Sequence, residues 1–372
     1  MIPNDLMIIQ GEGGKKIRAF EAPSGVTYQL VLRPQMGAIG NIFTVIALNG
    51  PRKGESFALK EYSPAGNDVS RRRILDRTRR FLQRLIDRPL PESIRPIITA
   101  PLELVDFPIT GSFGCIMERV DLTDFVTLGQ LRTRMPDAGV LTKLCMGVAH
   151  FYDQLSREGL CIPGLGEGDF WLHPVTGEVR FPVLDNISPV AGLPCIGSPQ
   201  YMAPELHMGR CEPDSHTSRF QLAVFLFRLL LGAYPYEGPR AVRFMSENDM
   251  SLFESSASVL GDHAVFIFDP HDKSNAAAAS RLPSDASPTE KAYHKSWQRQ
   301  TELWNRLPAV LRANFIHAFT CTQYEEREGR VTARQWEQVF RNLQQSQFIC
   351  PACQRETFGD RRCFFCGHTL PG

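Results

Sequence analysis

Four cysteines near the C-terminus have the spacing of a metal site. They form two C-x-x-C pairs with nine residues between them: Cys350, Cys353, Cys363 and Cys366. Each pair can turn two thiolates to one side, and two facing pairs make a tetrahedral site for zinc. A segment this short buries too little apolar surface to fold alone, so metal binding would supply its folding energy. We predict a zinc ribbon, with disulfides, a disordered tail, or His368 replacing one cysteine as alternatives.

A second group of residues has the chemistry of a phosphate-binding strand and turn. Residues 35–42 match G-x-G-x-x-G-x-V except at the first glycine, which leaves Gly37, Gly40 and Ile42 in place. Further along, Ala58 and Lys60 belong to a Phe-Ala-Leu-Lys segment that resembles V-A-I-K, whose lysine reaches the α- and β-phosphates of ATP. Each signal alone is weak, because glycines in hairpin turns and solvated strand lysines are common.

The elements that must position these residues change in type along the chain. Residues 26–62 read as three strands, 26–32, 42–47 and 56–62, separated by turns that contain Gly and Pro. Apolar residues then recur at helical spacing over 68–88, and strand-like runs follow at 97–98 and 113–120. Most of the remaining chain has helical periodicity, at 128–132, 141–156, 222–231, 311–319 and 333–343. This order predicts an α+β protein with a small strand-rich part and a larger helical part.

Composition narrows the class of protein. The 372 residues are 43% hydrophobic and 22% charged, near the globular average, so wholesale disorder is excluded. A formal net charge of +1 excludes a chain that is basic overall, as a general nucleic-acid coat protein would be. The first five residues lack a signal-peptide pattern, and the apolar run 222–234 is too short to span a bilayer. We therefore expect a cytoplasmic protein with no membrane contact and with reduced or metal-bound cysteines.

Two more motifs follow in an informative order. Met117, Glu118 and Val120 lie where a hinge that docks adenine would follow a strand, and residues 197–205 read Gly-Ser-Pro-Gln-Tyr-Met-Ala-Pro-Glu, like the end of a kinase activation segment. With the glycine-rich turn and the lysine strand, these motifs make the chain resemble a protein kinase over residues 26–345. The resemblance implies a two-lobed protein-kinase-like fold, with the zinc ribbon attached after it.

The resemblance implies a domain division and partners. The predicted parts are an N-terminal extension (1–25), an N-lobe (26–120), a C-lobe (121–345) with a Ser/Ala/Pro-rich surface insertion near 254–291, and the ribbon (346–372). Residues 262–275 and 330–336 before a ribbon look like a bacterial kinase-like family, encoded beside a von Willebrand A-domain protein and a metal-dependent protein phosphatase in tellurite-resistance-type gene clusters. That likeness implies these two proteins as partners. The kinase resemblance also implies a buried ion pair between Glu205 and Arg330.

Side chains that phosphoryl transfer requires are missing from the matching positions. A kinase uses one Asp to orient the hydroxyl, and an Asn and the Asp of D-F-G to hold magnesium. Aligned without gaps, these positions are occupied by Gly164, Asp169 and Val183. Glycine accepts no proton and valine coordinates no cation. The helix after residue 68 has no Glu to pair with Lys60, and Asp76 is the only acidic substitute at its centre.

We therefore predict a catalytically inactive pseudokinase that acts as a scaffold or allosteric binding subunit. Whether ATP and magnesium bind is left open, and any ATP binding is expected to be weak. One alternative is an active atypical Ser/Thr kinase that uses Asp169 as base and Asp185 as metal ligand. That alternative requires a shortened catalytic loop and leaves Val183 unexplained.

Two basic regions are candidate binding surfaces. The predicted helix 71–88 carries eight arginines, which are either an ordinary solvated face or a docking surface for an acidic partner: Arg71, Arg72, Arg73, Arg77, Arg79, Arg80, Arg84 and Arg88. The ribbon combines arginines with stacking rings, as a nucleic-acid-binding module would: Arg355, Arg361, Arg362, Phe364 and Phe365. A pI of about 7.6 lies below the range of such modules, so nucleic acid is not the favoured partner.

Overall fold

The chain folds into two compact units in a computed structural model. The structure describes residues 6–10, 16–31, 35–36, 41–63, 69–182, 187–189, 197–261, 263–277, 288–321, 324–360 and 362–369. The first unit comprises residues 1–121 and 181–185, and the second comprises residues 122–180 and 186–372.

The first unit is an antiparallel sheet with one long helix. Its elements are β1 (Met7–Gln10), β2 (Lys16–Glu21), β3 (Thr27–Leu30), β4 (Gln35–Met36), β5 (Asn41–Ala47), β6 (Ser56–Tyr62), α1 (Val69–Asp87), β7 (Pro101–Phe107) and β8 (Ser112–Glu118). The strand order is β1-β2-β3-β5-β6-β8-β7, with β4 paired to β5. The sheet positions β6 centrally, between β5 and β8.

Alternation along the strands builds the core of this sheet. In β6, Phe57 and Leu59 point to one face, where they join Phe43 and Phe107 in a buried cluster. Lys60 occupies the other set of positions and lies opposite Ile42 on β5 and Cys115 on β8. The register of three strands therefore fixes the place of the lysine.

Helix α1 is amphipathic and packs against β7. Leu75, Leu82 and Leu85 are buried on its inner face, while most of its arginines face outward. The predicted helix 68–88 corresponds to α1, and the predicted strands 26–32, 42–47 and 56–62 correspond to β3, β5 and β6.

One strand prediction for the first unit is wrong. Ile97 and Ile98 do not form a strand, because only Ile98 makes a single bridge, to Phe181. The strand that pairs with the outer edge of β8 is β7, whose charged residues Glu103 and Asp106 hid its pattern. The predicted N-terminal extension 1–25 contains β1 and β2, which continue the sheet beyond β3.

The second unit is mainly helical. Its helices are α2 (Leu128–Thr133), α3 (Ala138–Arg157), α4 (Pro204–His207), α5 (Ser215–Leu231), α6 (Pro239–Glu247), α7 (Leu252–Leu260), α8 (Pro288–Arg306), α9 (Ala309–Thr320) and α10 (Ala333–Gln345). Its short strands are β9 (Val126–Thr127), β10 (Leu160–Cys161), β11 (Trp171–Leu172), β12 (Val179–Arg180), β13 (Ser188–Pro189), β14 (Phe348–Ile349) and β15 (Glu356–Thr357). They pair as β9-β11-β12, β10-β13 and β14-β15.

Helix α5 is the centre of the second unit. It is buried on almost every side, as expected for the apolar run that the sequence places there. The Asp214 side chain begins it by accepting hydrogen bonds from the backbone N–H groups of His216 and Thr217. It ends at Gly232, whose φ of +71° belongs to the left-handed region that favours glycine. Helix α10 packs along α3, beside this core.

The prediction of an irregular surface insertion over residues 254–291 is wrong in part, because much of this segment is helical or buried. It begins inside α7 and ends inside α8, and Phe266 and Ile267 between these helices are buried. The Asn275 side chain anchors the intervening segment, because its amide donates to the carbonyls of Tyr236 and Val265. A polar composition concealed this packing, and residues 278–287 lie outside the described part.

The α+β class predicted from the sequence is confirmed. Within the described residues, no helix has both the length and the apolar character needed to cross a bilayer.

Candidate functional site

The four cysteines converge at the C-terminal end of the chain. The sulfur atoms of Cys350, Cys353, Cys363 and Cys366 all lie within 4.8 Å of one another. The Cys350–Cys366 and Cys353–Cys363 Sγ distances are 3.8 and 3.7 Å. A tetrahedral zinc ion about 2.3 Å from each sulfur would set its ligands about 3.8 Å apart, whereas a disulfide requires about 2.05 Å. The cluster therefore fits a metal ion such as zinc and not two disulfides.

Two matching turns produce this convergence. In each, the residue after the second cysteine donates its N–H to the carbonyl of the first, from Gln354 to Cys350 and from Gly367 to Cys363, both at 2.9 Å. Gln354 and Gly367 have φ values of +58° and +76°, which is ordinary for glycine and uncommon for glutamine. The backbone thus holds each pair in a tight knuckle. His368 is exposed, and it takes part in the second knuckle through its carbonyl, which accepts from the Cys363 N–H.

The environment of Cys363 favours the thiolate that a metal needs. Burial raises the pKa of this thiol, but the backbone N–H groups of Cys366 and Phe365 and the Thr357 hydroxyl donate hydrogen bonds to its sulfur. The hydrogen bonds outweigh burial and lower the pKa to about 6. One of the four ligands is therefore prepared for metal at neutral pH.

The ribbon is fixed to the helical unit by polar contacts around the start of α3. Arg355 donates to the Asp137 carboxylate at 2.7 Å and to the Met135 carbonyl at 2.8 Å. The Glu356 carboxylate accepts from the Gly139 N–H at 3.0 Å, which places a negative charge at the positive end of α3. The ribbon is therefore docked on the helices and not tethered loosely.

This docking occupies residues that the nucleic-acid alternative requires. Arg355 is engaged by Asp137 and lies 3.5 Å over the ring centre of Phe365, and Phe364 is fully buried. Arg362 is exposed, while Arg361 lies outside the described residues. Three of the five residues named for nucleic-acid stacking and charge are thus used within the fold.

Most of the residues predicted to face a nucleotide in the first unit lie on three adjacent strands, β5, β6 and β8. Ile42 is opposite Lys60, and Ala58 is opposite Met117. Lys60 is only 6% exposed, Met117 is buried, and Val120 is half-buried. Gly37 and Gly40 lie outside the described residues.

The sequence did not predict the surroundings of three acidic side chains in this unit. Glu118 forms an ion pair with Arg52 at 2.7 Å, which the sequence did not suggest. Asp76, the proposed substitute partner for Lys60, is exposed on α1, whereas Lys60 is buried. Glu61, which sequence reasoning missed, is a buried carboxylate that accepts from Asn41 and Ser112. Its position next to Lys60 gave no signal, because consecutive strand residues point to opposite faces.

In the second unit, two strands bracket the loop that would carry catalysis. Residues 162–170 run between β10 and β11, so the loop begins and ends at fixed points. Gly164 and Leu165 are buried there. The Asp169 carboxylate accepts from the Gly166 N–H at 2.8 Å and closes a turn within the loop.

The residues after position 196 pack directly on this loop. The Ser198 N–H donates to the Leu165 carbonyl at 3.0 Å. A Cβ added to Gly197 would lie 2.6 Å from the Leu165 nitrogen and 2.8 Å from the Gly164 carbonyl carbon. Only a glycine allows this close approach, so the Gly164–Leu165 peptide is covered by Gly197.

Comparisons with known proteins show which proteins this chain is similar to. No protein-family model matches the chain. The serine/threonine-protein kinase pkn2 of Myxococcus xanthus is 27% identical over 162 residues, which cover 40% of this chain and 19% of that protein. The autoinhibited serine kinase domain of the giant muscle protein titin has a TM-score of 0.53 and 11% identity, over 84% of this chain and 78% of that one.

The chain has a protein-kinase-like fold. The sheet of the first unit is its N-lobe, and the helices of the second are its C-lobe. The sequence relationship to the Myxococcus kinase is distant, and the match spans 19% of that protein. The predicted fold class, including a C-terminal cysteine cluster consistent with a zinc ribbon, is confirmed.

Two of the four positions that bear on catalysis lie among the described residues. Gly164 and Asp169 are in the bracketed loop of the C-lobe. Val183 and Asp185, the proposed magnesium position and its alternative, lie outside the described residues. The structure therefore places the first two of these residues and leaves the last two as sequence predictions.

The structure brings Glu205 and Arg330 together. Arg330 makes two parallel hydrogen bonds to the Glu205 carboxylate, at 2.7 and 2.8 Å, and each side chain is 1% exposed. Arg330 also donates to the Cys321 carbonyl. The pair ties the start of α4 to the segment before α10.

Sequence reasoning missed a second carboxylate–arginine cluster in the C-lobe. Glu167 accepts from Arg228 at 2.7 Å and from the Tyr234 hydroxyl at 2.7 Å. Burial raises the pKa of Glu167, but the bonds from Tyr234 and Arg228 outweigh it and hold that pKa below its usual range. Glu167 is therefore an anion that is paired within the fold.

Proposed function

We propose that this chain is a catalytically inactive kinase-like protein, a pseudokinase, which acts as a binding subunit in a phospho-signalling complex. The observation that carries the proposal is the loop of residues 162–170 between β10 and β11. An H-R-D-x-x-x-x-N segment fits these bounds without a gap and puts Gly164 at the position of the catalytic Asp. The loop peptide at that position packs against Gly197.

The rival proposal, an active atypical kinase, has less support from the loop. It requires Asp169 to act as the base, but the Asp169 carboxylate already closes the turn with the Gly166 N–H. Glu167, the other acidic residue of the loop, is held by Arg228 and Tyr234. A catalytic base must reach the substrate hydroxyl directly or through one water. Both carboxylates already accept hydrogen bonds within the fold.

Incubation with labelled ATP and magnesium or manganese tests catalysis. We expect phosphate incorporation into the chain or a generic protein substrate to be the same for wild type and Lys60→Ala, because no aspartate occupies position 164 or 183. A thermal shift measured with ATP should be small and should not increase with magnesium. Incorporation that Lys60→Ala and Asp169→Asn both abolish would establish the rival.

Helix α1 is the surface that would bind a partner protein. Arg73, Arg77, Arg80 and Arg84 recur every three or four residues and are exposed, so they share one face about 17 Å long. Arg79 is different, because it pairs with Asp106. A row of guanidinium groups suits carboxylates or phosphates on a partner. The likeness to the bacterial kinase-like family suggests a metal-dependent protein phosphatase and a von Willebrand A-domain protein as partners.

Neutralising this face tests the docking surface. We expect the triple variant Arg73→Gln, Arg80→Gln, Arg84→Gln to bind a fluorescein-labelled poly-glutamate peptide about tenfold more weakly than wild type, since each exposed pair contributes about 0.5 kcal/mol. Fluorescence anisotropy at low and physiological salt measures the loss. A control triple variant of the exposed C-lobe residues Arg243, Arg299 and Arg341, with equal charge change, should bind normally. Equal weakening in both would show a general charge effect and refute docking on α1.

A further inference from the structure

A cavity in the C-lobe is lined by residues other than those of the loop 162–170. Its volume is about 470 Å³, and its walls come from the last turns of α3, from β10, and from the first turns of α5 and α10. All four elements belong to the second unit. The cavity has a partly apolar wall, which includes Leu155, Leu160 and Leu222.

Positive charge dominates the polar part of the wall. Arg157, Arg219 and Arg334 line the cavity together with a single acidic residue, Asp153. Asp153 is engaged by Arg157 at 2.8 Å. In the described part of the chain, no carboxylate lies within ion-pair distance of Arg219 or Arg334, and Arg219 donates to the Glu328 carbonyl. Neither guanidinium group is therefore neutralised by a direct ion pair, although the Asp214 and Glu328 carboxylates act on Arg219 from a longer distance.

Two helices begin at the same cavity. At α5, the Asp214 side chain satisfies the N–H groups of His216 and Thr217 but not that of Ser215. At α10, Thr332 and Gln335 satisfy each other. The N–H groups of Ala333 and Arg334 remain without a partner among the described residues. Both helix ends contribute partial positive charge and unpaired donors to the site.

A buried hydroxyl in the wall supplies an independent indication of a ligand. Ser218 lines the cavity, is 8% exposed, and has a hydroxyl that lacks a hydrogen-bond partner in the described structure. A hydroxyl removed from water and left unpaired is unfavourable, so native structures satisfy nearly all of them. The oxygen is covered in this structure, so an anion in the cavity would satisfy this donor after the side chain rotates toward it.

We propose that this cavity binds the phosphoryl group of a phosphomonoester. Arg219 and Arg334 would hold the phosphate oxygens in the forked geometry that guanidinium groups favour, with the Ala333 and Ser218 donors completing the shell. The apolar wall would contact the body of the ligand. The same chemistry is offered by a small phosphorylated metabolite and by a phosphorylated side chain on a peptide.

Calorimetric titration of the full chain with phenyl phosphate, which combines a phosphoryl group with an apolar body, tests this site. We expect binding at constant ionic strength that Arg334→Gln weakens about tenfold, since it removes one charge-assisted contact. Arg334 is exposed, so its replacement leaves the fold intact. Ser218→Ala should weaken binding by a smaller factor.

A matched control separates this site from others. Arg341→Gln, on the same helix outside the cavity, should bind phenyl phosphate as wild type does. Tighter binding of a phosphoserine peptide than of phenyl phosphate would assign the site to peptides, and the reverse order would assign it to small molecules. Absence of binding at millimolar phenyl phosphate, or unchanged binding in both Arg334→Gln and Ser218→Ala, would overturn the proposal.

Discussion

Replacing Cys363 by serine is expected to abolish stoichiometric zinc binding and to unfold the ribbon. Cys363 is fully buried among the four sulfurs, so its loss opens a site whose other ligands cannot close around the ion. Structural zinc contributes about 10–16 kcal/mol to small metal-folded segments at pH 7, far more than this ribbon can gain from its few buried rings. The loss should appear as zinc content near zero by mass spectrometry of the purified protein.

A second cysteine provides the matched control. Cys211 is a half-buried free thiol outside the cluster, and Cys211→Ser should retain one zinc per chain. Protease digestion should release the ribbon from Cys363→Ser and not from the control. Full zinc content in Cys363→Ser, or equal loss in both variants, would contradict the four-cysteine site.

The same experiment reports on the docking of the ribbon. The Glu356 carboxylate and the Arg355 guanidinium reach the start of α3 only because the β14–β15 hairpin holds them there. We therefore expect metal loss to expose the first turn of α3, where Gly139 would lose its acceptor. The metal site thus stabilises a contact with the helical unit in addition to its own fold.

Replacing Arg330 by methionine is expected to destabilise the C-lobe by about 3–5 kcal/mol, because it strands the Glu205 carboxylate in a buried site. Each member of this pair is 1% exposed, so water cannot solvate the remaining charge. Urea unfolding followed by tryptophan fluorescence measures the change, since Trp336 and Trp304 lie in the same helical core. The midpoint should fall sharply.

An exposed pair and a double variant test the cause. Arg341 pairs with Glu337 on the surface of α10, and Arg341→Gln should cost less than about 0.5 kcal/mol. Combining Arg330→Met with Glu205→Leu removes both charges and should recover much of the lost stability. If the double variant is as unstable as the single one, packing around Arg330 and not the stranded charge explains the loss.

The sequence by itself determined the features that depend on local spacing. Two C-x-x-C pairs specify a metal knuckle because two ligands three residues apart can be brought together by one turn. The apolar repeat over residues 68–88 specified α1, since helical periodicity is a local property. The order of motifs from Lys60 to Glu205 was sufficient to indicate the kinase-like fold.

Predictions from the sequence were wrong where the local residue pattern did not show whether a segment would be buried. Ile97 and Ile98 resembled a strand, but the paired strand is β7, whose mixed polar residues serve an edge position. Asn275 lay in a polar stretch that suggested a surface loop, yet its side chain is buried and anchors that stretch.

The pairing of charged residues depends on how distant segments pack against one another. Glu167 and Arg228 are 61 residues apart, and Arg355 and Asp137 are 218 residues apart. The cavity between α3, α5 and α10 likewise joins residues from three distant segments. No periodicity predicts such contacts, because they arise when whole elements pack and bring their surfaces together. The sequence therefore identified the kinase-like fold and the cysteine cluster, whereas packing determined which carboxylates are paired and which arginines remain available to a ligand.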